Sequence, residues 1–250
     1  MKGIFSLLAC LLLILIANDL LAEPVAEDII RKIEDNLNGK TAYMEFSMVV
    51  KTKRSDRTLK MESFSQGSDK SFIKILYPKK DKGITFLKLD NTMWQYVPRI
   101  EKTIKIPASM MLQSWMGSDF TNDDLVRESS ISRDYQCRIL EDQEAFCKIE
   151  LLPRQEAAVV WGRIVMDIDK QIYFPTLVSY YDEDDLLIRT FKYMDVRSFG
   201  DKLYPSRWLV EPKADDKSGH STMILIHQAE FDQGIDQAYF TKRALKRFSQ

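Results

Sequence analysis

The stretch Tyr43-Met44-Glu45-Phe46-Ser47-Met48-Val49-Val50-Lys51 decides how the chain is read. Met44, Phe46, Met48 and Val50 share one face of an extended strand, with Glu45, Ser47 and Lys51 opposite. Side chains alternate across a strand, so period-two patterning predicts one dry face. The pattern continues toward the C-terminus. Leu59 and Met61 resume it after the polar turn Arg54–Arg57. Phe72–Tyr77, Ile84–Leu89 and Met93–Val97 follow, punctuated by Gly67-Ser68-Asp69, Pro78–Gly83, Asp90-Asn91 and Pro98. Further strands are predicted at Ile131–Leu140, Phe146–Leu152, Val160–Ile168, Thr176–Tyr181, Leu186–Met194, Tyr204–Val210 and Thr222–Phe231. The last carries Ile224 and Ile226 on one face and Met223 and Leu225 on the other, apolar on both near its start. Turn signals roughly every ten residues belong to a sequential antiparallel sheet, not to βαβ units.

Helices are few. Val25, Ile29, Ile30, Ile33 and Leu37 have helical spacing, closed by Asn38-Gly39. The segment Pro107–Asp124 interrupts the strand rhythm and crowds Met110, Met111, Leu112, Trp115 and Met116 together. It reads as a short apolar helix, a turn at Gly117-Ser118-Asp119, and a second short helix ending near Arg127. Thr121 and Asp124, three apart, resemble a capping box. Phe240–Phe248 is a short basic helix. The predicted fold class is mainly β with a few helices (α+β): one antiparallel sheet of ten to twelve strands, wide enough to curl. Helices would plug its concave face.

Composition narrows the function. The 250 residues are 45% hydrophobic and 29% charged, with net charge −1. That balance argues against a global electrostatic grip on nucleic acid. Lys2 precedes the apolar run Ile4–Ile16, and Ala22 follows it. A basic start, a short apolar centre and a small terminal residue read as a signal peptide, 1–22, cleaved after Ala22. The run is shorter than the ~20 residues that span a bilayer. Leu7-Leu8-Ala9-Cys10 resembles a lipoprotein cleavage box, but lipidation there would leave Leu11–Ile16 at the mature N-terminus. Residues 23–250 are expected to form one exported domain, monomeric. Cys137 and Cys147 remain in it. The segment 135–151 reads as a hairpin around a turn near Glu141–Glu144, which would set the two cysteines opposite each other. A disulfide suits an oxidising compartment and would contribute about 2–3 kcal/mol.

Catalytic patterns are missing. The sequence has no HExxH, GxSxG or Cys/His cluster. Ser118 adjoins Asp119 without a nearby histidine, and a turn with local capping explains both. His220 and His227 would face opposite sides of a regular strand. No enzyme, no catalytic residue, no metal and no cofactor is expected. A hydrolase would be betrayed by a serine within hydrogen-bond reach of a histidine at a cleft. Asp182–Asp185 suits a hairpin turn better than a calcium loop. Lys79-Lys80-Asp81-Lys82 reads as a solvated basic loop. The crowded methionines are flexible and polarisable, suited to an adaptable apolar surface.

Several motifs carry a family likeness. They are Tyr77-Pro78 with Asp81-Lys82-Gly83 and Leu87, Trp94-Gln95-Tyr96-Val97-Pro98, Trp115-Met116-Gly117-Ser118-Asp119-Phe120, Asp123-Asp124-Leu125, Tyr204-Pro205, and Phe240-Thr241 with Leu245 and Arg247. Together they resemble the LolA-like family of outer-membrane lipoprotein-sorting proteins, over essentially all of the mature chain. The resemblance implies an unclosed, curled half-barrel whose cavity receives lipoprotein acyl chains or another amphiphilic lipid. It implies a periplasmic carrier delivering cargo toward the outer membrane. The alternative is a non-enzymatic accessory docking on an RND-type (resistance–nodulation–division) transporter, with which this branch is associated. It also implies that Trp94, Tyr96, Met110, Met111, Leu112, Trp115 and Met116 line or lid the cavity. No residue here matches the arginine that gates the LolA lid.

Overall fold

The computed structural model describes residues 26–127, 131–157 and 159–250. The signal peptide, its cleavage site and Cys10 lie outside the described residues. Helix α1 spans 26–38. It buries Ala26, Ile29, Ile30 and Ile33, the stripe its apolar spacing dictates. Strands follow at β1 Thr41–Lys51, β2 Asp56–Gln66, β3 Lys70–Tyr77, β4 Thr85–Leu89, β5 Thr92–Val97 and β6 Lys102–Lys105. Two short helices come next, α2 Asn122–Arg127 and α3 Ile131–Asp134. The second half holds β7 Tyr135–Asp142, β8 Phe146–Pro153, β9 Arg163–Asp169, β10 Phe174–Tyr181, β11 Leu187–Phe199, β12 Lys202–Pro212 and β13 Ser221–Phe231, then α4 Lys242–Arg247.

All thirteen strands form one antiparallel sheet, ordered β6-β5-β4-β3-β2-β1-β13-β12-β11-β10-β9-β8-β7. Two meanders are joined back to back by the β1–β13 ladder, where Met48 opposes Ile224. The sheet is not closed into a barrel, and β6 and β7 end it. The chain between them must travel from one edge to the other, and it buries Trp115 and Phe120 in the core on its way. Met44, Phe46, Met48 and Val50 all face that core, as their period requires.

The structure departs from the expected elements in four places. Residues 131–134 are helical, so β7 starts at Tyr135. β6, Lys-Thr-Ile-Lys, is exposed throughout and has no dry face to betray it. The apolar segment after Pro107 is not an α-helix but two single 3₁₀ turns, Ala108–Met110 and Trp115–Gly117. Met116 and Gly117 both take positive φ there (50° and 71°), which breaks any helix.

The fourth is the cysteine pair, which is not a disulfide. The turn falls at Gln143–Ala145, so Cys147 opposes Asp142 and Cys137 opposes Leu151. Four residues of strand separate the two positions, about 13 Å at the usual rise, and a disulfide needs Cα atoms within about 7 Å. Both are free, buried thiols. Burial pushes the Cys137 thiol up to about 12 and also raises Cys147.

Candidate functional site

Between α1 and the sheet lies a cavity of about 260 Å³. Ile30, Ile33, Glu34 and Leu37 of α1 form one wall. Met44 and Phe46 of β1, Ile73 of β3, Met166 of β9, Val178 and Tyr180 of β10, Tyr193 of β11, Tyr204 and Trp208 of β12, and Ile224 and Ile226 of β13 form the other. Lys88 of β4 also reaches it. β4 and β9 stand eight places apart in the sheet, about 38 Å if it were flat. Their sharing one cavity requires the sheet to curl around α1. Three residues of the β2–β3 hairpin, Ser63, Ser65 and Ser71, give one end of the cavity a hydroxyl lining.

Two acidic groups stand at the apolar interior. Glu34 accepts from the Ser132 backbone N–H (2.9 Å) and hydroxyl (2.6 Å). Burial nevertheless holds its pKa above the ordinary carboxylate value, because those bonds offset only part of the desolvation. Asp124 instead forms a bidentate ion pair with Arg189 of β11, both contacts 2.6 Å and both side chains about 5–6% exposed. The Arg189 guanidinium lies over the rings of Trp161 (4.6 Å) and Tyr180 (4.5 Å). Asp124 also accepts from the Thr121 N–H, while Thr121 Oγ1 accepts from the Asp124 N–H. That is the capping box the Thr121/Asp124 spacing predicts. Asp119 accepts from the Thr222 hydroxyl at 2.7 Å, and Ser118 Oγ accepts from the Phe120 N–H. The Gly117-Ser118-Asp119 motif thus ties the crossover segment to β13, a structural task. Sequence reading did not single out Arg189; its signal is a lone charge at an inward position of β11, two residues before Phe191.

None of the seven residues expected to line or lid the cavity is among those lining it. Trp94 and Tyr96 sit on the opposite face of the sheet, in a second cluster beneath α4 with Phe72, Leu87 and Leu245. They share a strand face, and Met93 takes the inward one. Trp115 is 3% exposed and packs edge-on against Phe86 in the core (5.3 Å). Met111 and Met116 pack partly buried against that core, whereas Met110 and Leu112 are exposed. The Met110 and Met111 carbonyls accept from the Asn122 side chain and the Asp123 N–H, both at 2.9 Å, which clamps this segment to the start of α2. α2 in turn supplies Asp124 and Leu125 to the cavity wall.

A serine–histidine contact exists elsewhere. Ser47 Oγ and His227 Nε2 are 2.7 Å apart on the outer face of β1 and β13. Neither residue lines any of the described cavities. Asp182 makes a local turn, its Oδ1 accepting from the Leu186 N–H at 2.9 Å. Among the described residues, no helix is long and apolar enough to cross a membrane.

Residues 67–247 match a family described as "Uncharacterized protein"-like. The chain belongs to that family. Its architecture is the LolA type: a thirteen-stranded antiparallel sheet, unclosed, with few helices. Three solved structures share it. A DUF1329 family protein from Desulfovibrio piger superposes with a TM-score of 0.80 at 20% identity, covering 90% of this chain and 99% of that one. A protein domain described as outer membrane lipoprotein-sorting, from Vibrio parahaemolyticus, gives 0.78 at 21% identity, covering 90% and 100%. The LolA superfamily protein NE2245 from Nitrosomonas europaea gives 0.72 at 16%, covering 88% and 98%. No curated protein matches the sequence.

Proposed function

We propose that this protein is a periplasmic carrier, exported by cleavage after Ala22, that holds a lipoprotein acyl chain or another amphiphile between α1 and the curled sheet. The observation that carries this reading is the apolar cavity itself. Its walls come from the helix and from strands of both meanders, so it belongs to the fold and not to one loop. The LolA-type architecture of lipoprotein-sorting relatives supports the same reading.

The physics suits a carrier. The cavity of about 260 Å³ equals about nine groups of water size, at roughly 30 Å³ each. A methylene is of similar size, and each one buried gains about 0.8 kcal/mol. A chain segment of this length therefore gains about 7 kcal/mol before the costs of ordering. Release needs no chemistry, only an opening of the wall that α1 and α2 provide.

The test is the affinity of a fluorescent fatty acid, measured beside the thermal midpoint. Met44→Asp and Phe46→Asp place a charge against the cargo and should abolish binding in folded protein. Ser63→Leu fills the hydroxyl-lined end and should weaken it. Unchanged affinity in folded Met44→Asp and Phe46→Asp variants would overturn the assignment.

A further inference from the structure

A second cavity lies on the opposite side of β1, apart from the first. Its volume is about 350 Å³. Residues 233–236, which follow β13, line it together with Thr41 and Tyr43 of β1, Phe64 of β2, Glu230 of β13 and Tyr239. One hydrogen bond ties this segment to β1 and another caps the turn that follows it. Thr41 Oγ1 donates to the Gln233 carbonyl at 2.5 Å, and Asp236 accepts from the Ala238 N–H at 2.9 Å. Gly234, within this segment, has nothing within 4 Å of where a Cβ would stand.

The lining has a particular chemistry. Tyr43, Phe64 and Tyr239 supply aromatic surface: Tyr43 and Phe64 are tilted with centroids 5.0 Å apart, and Phe64 stacks on Tyr239 at 3.9 Å. Glu230 and Asp236 supply carboxylates, and no Lys or Arg is among the lining residues. Two more acids stand behind the wall. Glu45 accepts from the Tyr43 hydroxyl at 2.6 Å, and Glu62 faces Lys74 at 3.9 Å. Lys74 stands near Glu62 and Arg247 near Tyr239, and neither is in the lining. The negative faces of aromatic rings attract cations, and the carboxylates of Glu230 and Asp236, both exposed, add an attraction that solvent screens. An apolar, anionic pocket disfavours anions and gives neutral solutes no electrostatic advantage.

We propose that this outer pocket binds an organic ammonium cation, the Tyr43 and Phe64 rings receiving its alkyl groups and Glu230 and Asp236 its charge. It is independent of the carrier reading, because none of these residues lines the first cavity. The surface fits a quaternary or protonated amine of the kind carried by small metabolites and lipid headgroups alike.

Titration calorimetry at low ionic strength, where screening is weak, tests it with choline as probe and 3,3-dimethyl-1-butanol as its uncharged isostere. Choline should bind, and the isostere should bind at least about tenfold more weakly. Phosphocholine binding more weakly than choline would identify the free cation as the preferred form; tighter binding would identify a headgroup. Either result supports the pocket. Glu230→Gln, an exposed substitution, should weaken choline about tenfold. Tyr43→Phe should retain binding and Tyr43→Leu should lose it. If Tyr43→Leu fails to fold, Glu230→Gln and the isostere carry the test alone. No choline binding at millimolar concentration, equal affinity for the two probes, or unchanged affinity in Glu230→Gln would overturn the proposal.

Discussion

Arg189 and Asp124 bring opposite charges into a largely apolar interior, and their two short contacts are what make that tolerable. Removing one partner strands the other. Arg189→Ala is predicted to cost about 3–5 kcal/mol in urea unfolding, and the double replacement Arg189→Met with Asp124→Leu should recover most of it. Recovery will be incomplete, because Asp124 also caps α2, worth about 1 kcal/mol. A loss below about 1 kcal/mol on Arg189→Ala would contradict the burial seen here. Glu34 gives a second residue-scale prediction. Its pKa is raised, chiefly by burial, so its neutral form is favoured in the fold. A buried carboxyl with raised pKa stabilises most at low pH and loses that contribution as pH rises through the folded value. Apolar cargo desolvates it further. Fatty-acid affinity should therefore strengthen on acidification from neutral pH, and Glu34→Gln should flatten the profile. An identical profile in Glu34→Gln would contradict this. The capping pair Thr121/Asp124 was legible from its spacing alone because capping is local chemistry. The Arg189 partnership was not, since its two members lie 65 residues apart in the chain.

Elements were legible wherever one face is buried and the other wet. β1 and β9 show their inward residues by alternation, and α1 shows its stripe. Alternation fails where both faces are covered. Trp94 and Tyr96 alternate with Met93, and all three are at least partly buried, because α4 roofs the outer face of this meander. Sequence alone could not say which set meets the cavity. It failed also at β6, where neither face is buried, and at the β7–β8 hairpin. There a turn centred two residues later than expected, with a register shift between Ile139 and Glu141, moves Cys137 and Cys147 out of opposition. The consequence is measurable. Both cysteines should label after denaturation without reductant, and reductant should leave the thermal midpoint unchanged. Absence of labelling, or a midpoint lowered by reductant, would contradict the register.

At the scale of the molecule, the order of strands makes the cavity. Pairing β1 with β13 leaves β6 and β7, consecutive in the chain, at opposite ends of the sheet, and the segment joining them must cross between the two edges. That crossing deposits Trp115, Phe120 and α2 on the inner side, where they and α1 keep the curled sheet from collapsing on itself. The curled antiparallel sheet was legible from turn spacing and strand count, and its failure to close only from the family resemblance. The cavity's lining was not, because it is assembled from strands up to eight places apart, and only the curvature brings them together. The central claim is that this space holds an acyl chain. Native mass spectrometry of the protein released gently from its own cell envelope tests it most directly. The account predicts a bound amphiphile at one per chain, released by denaturation and missing from folded Phe46→Asp. A mass equal to the bare polypeptide in every preparation, with no lipid recovered on extraction, would contradict it.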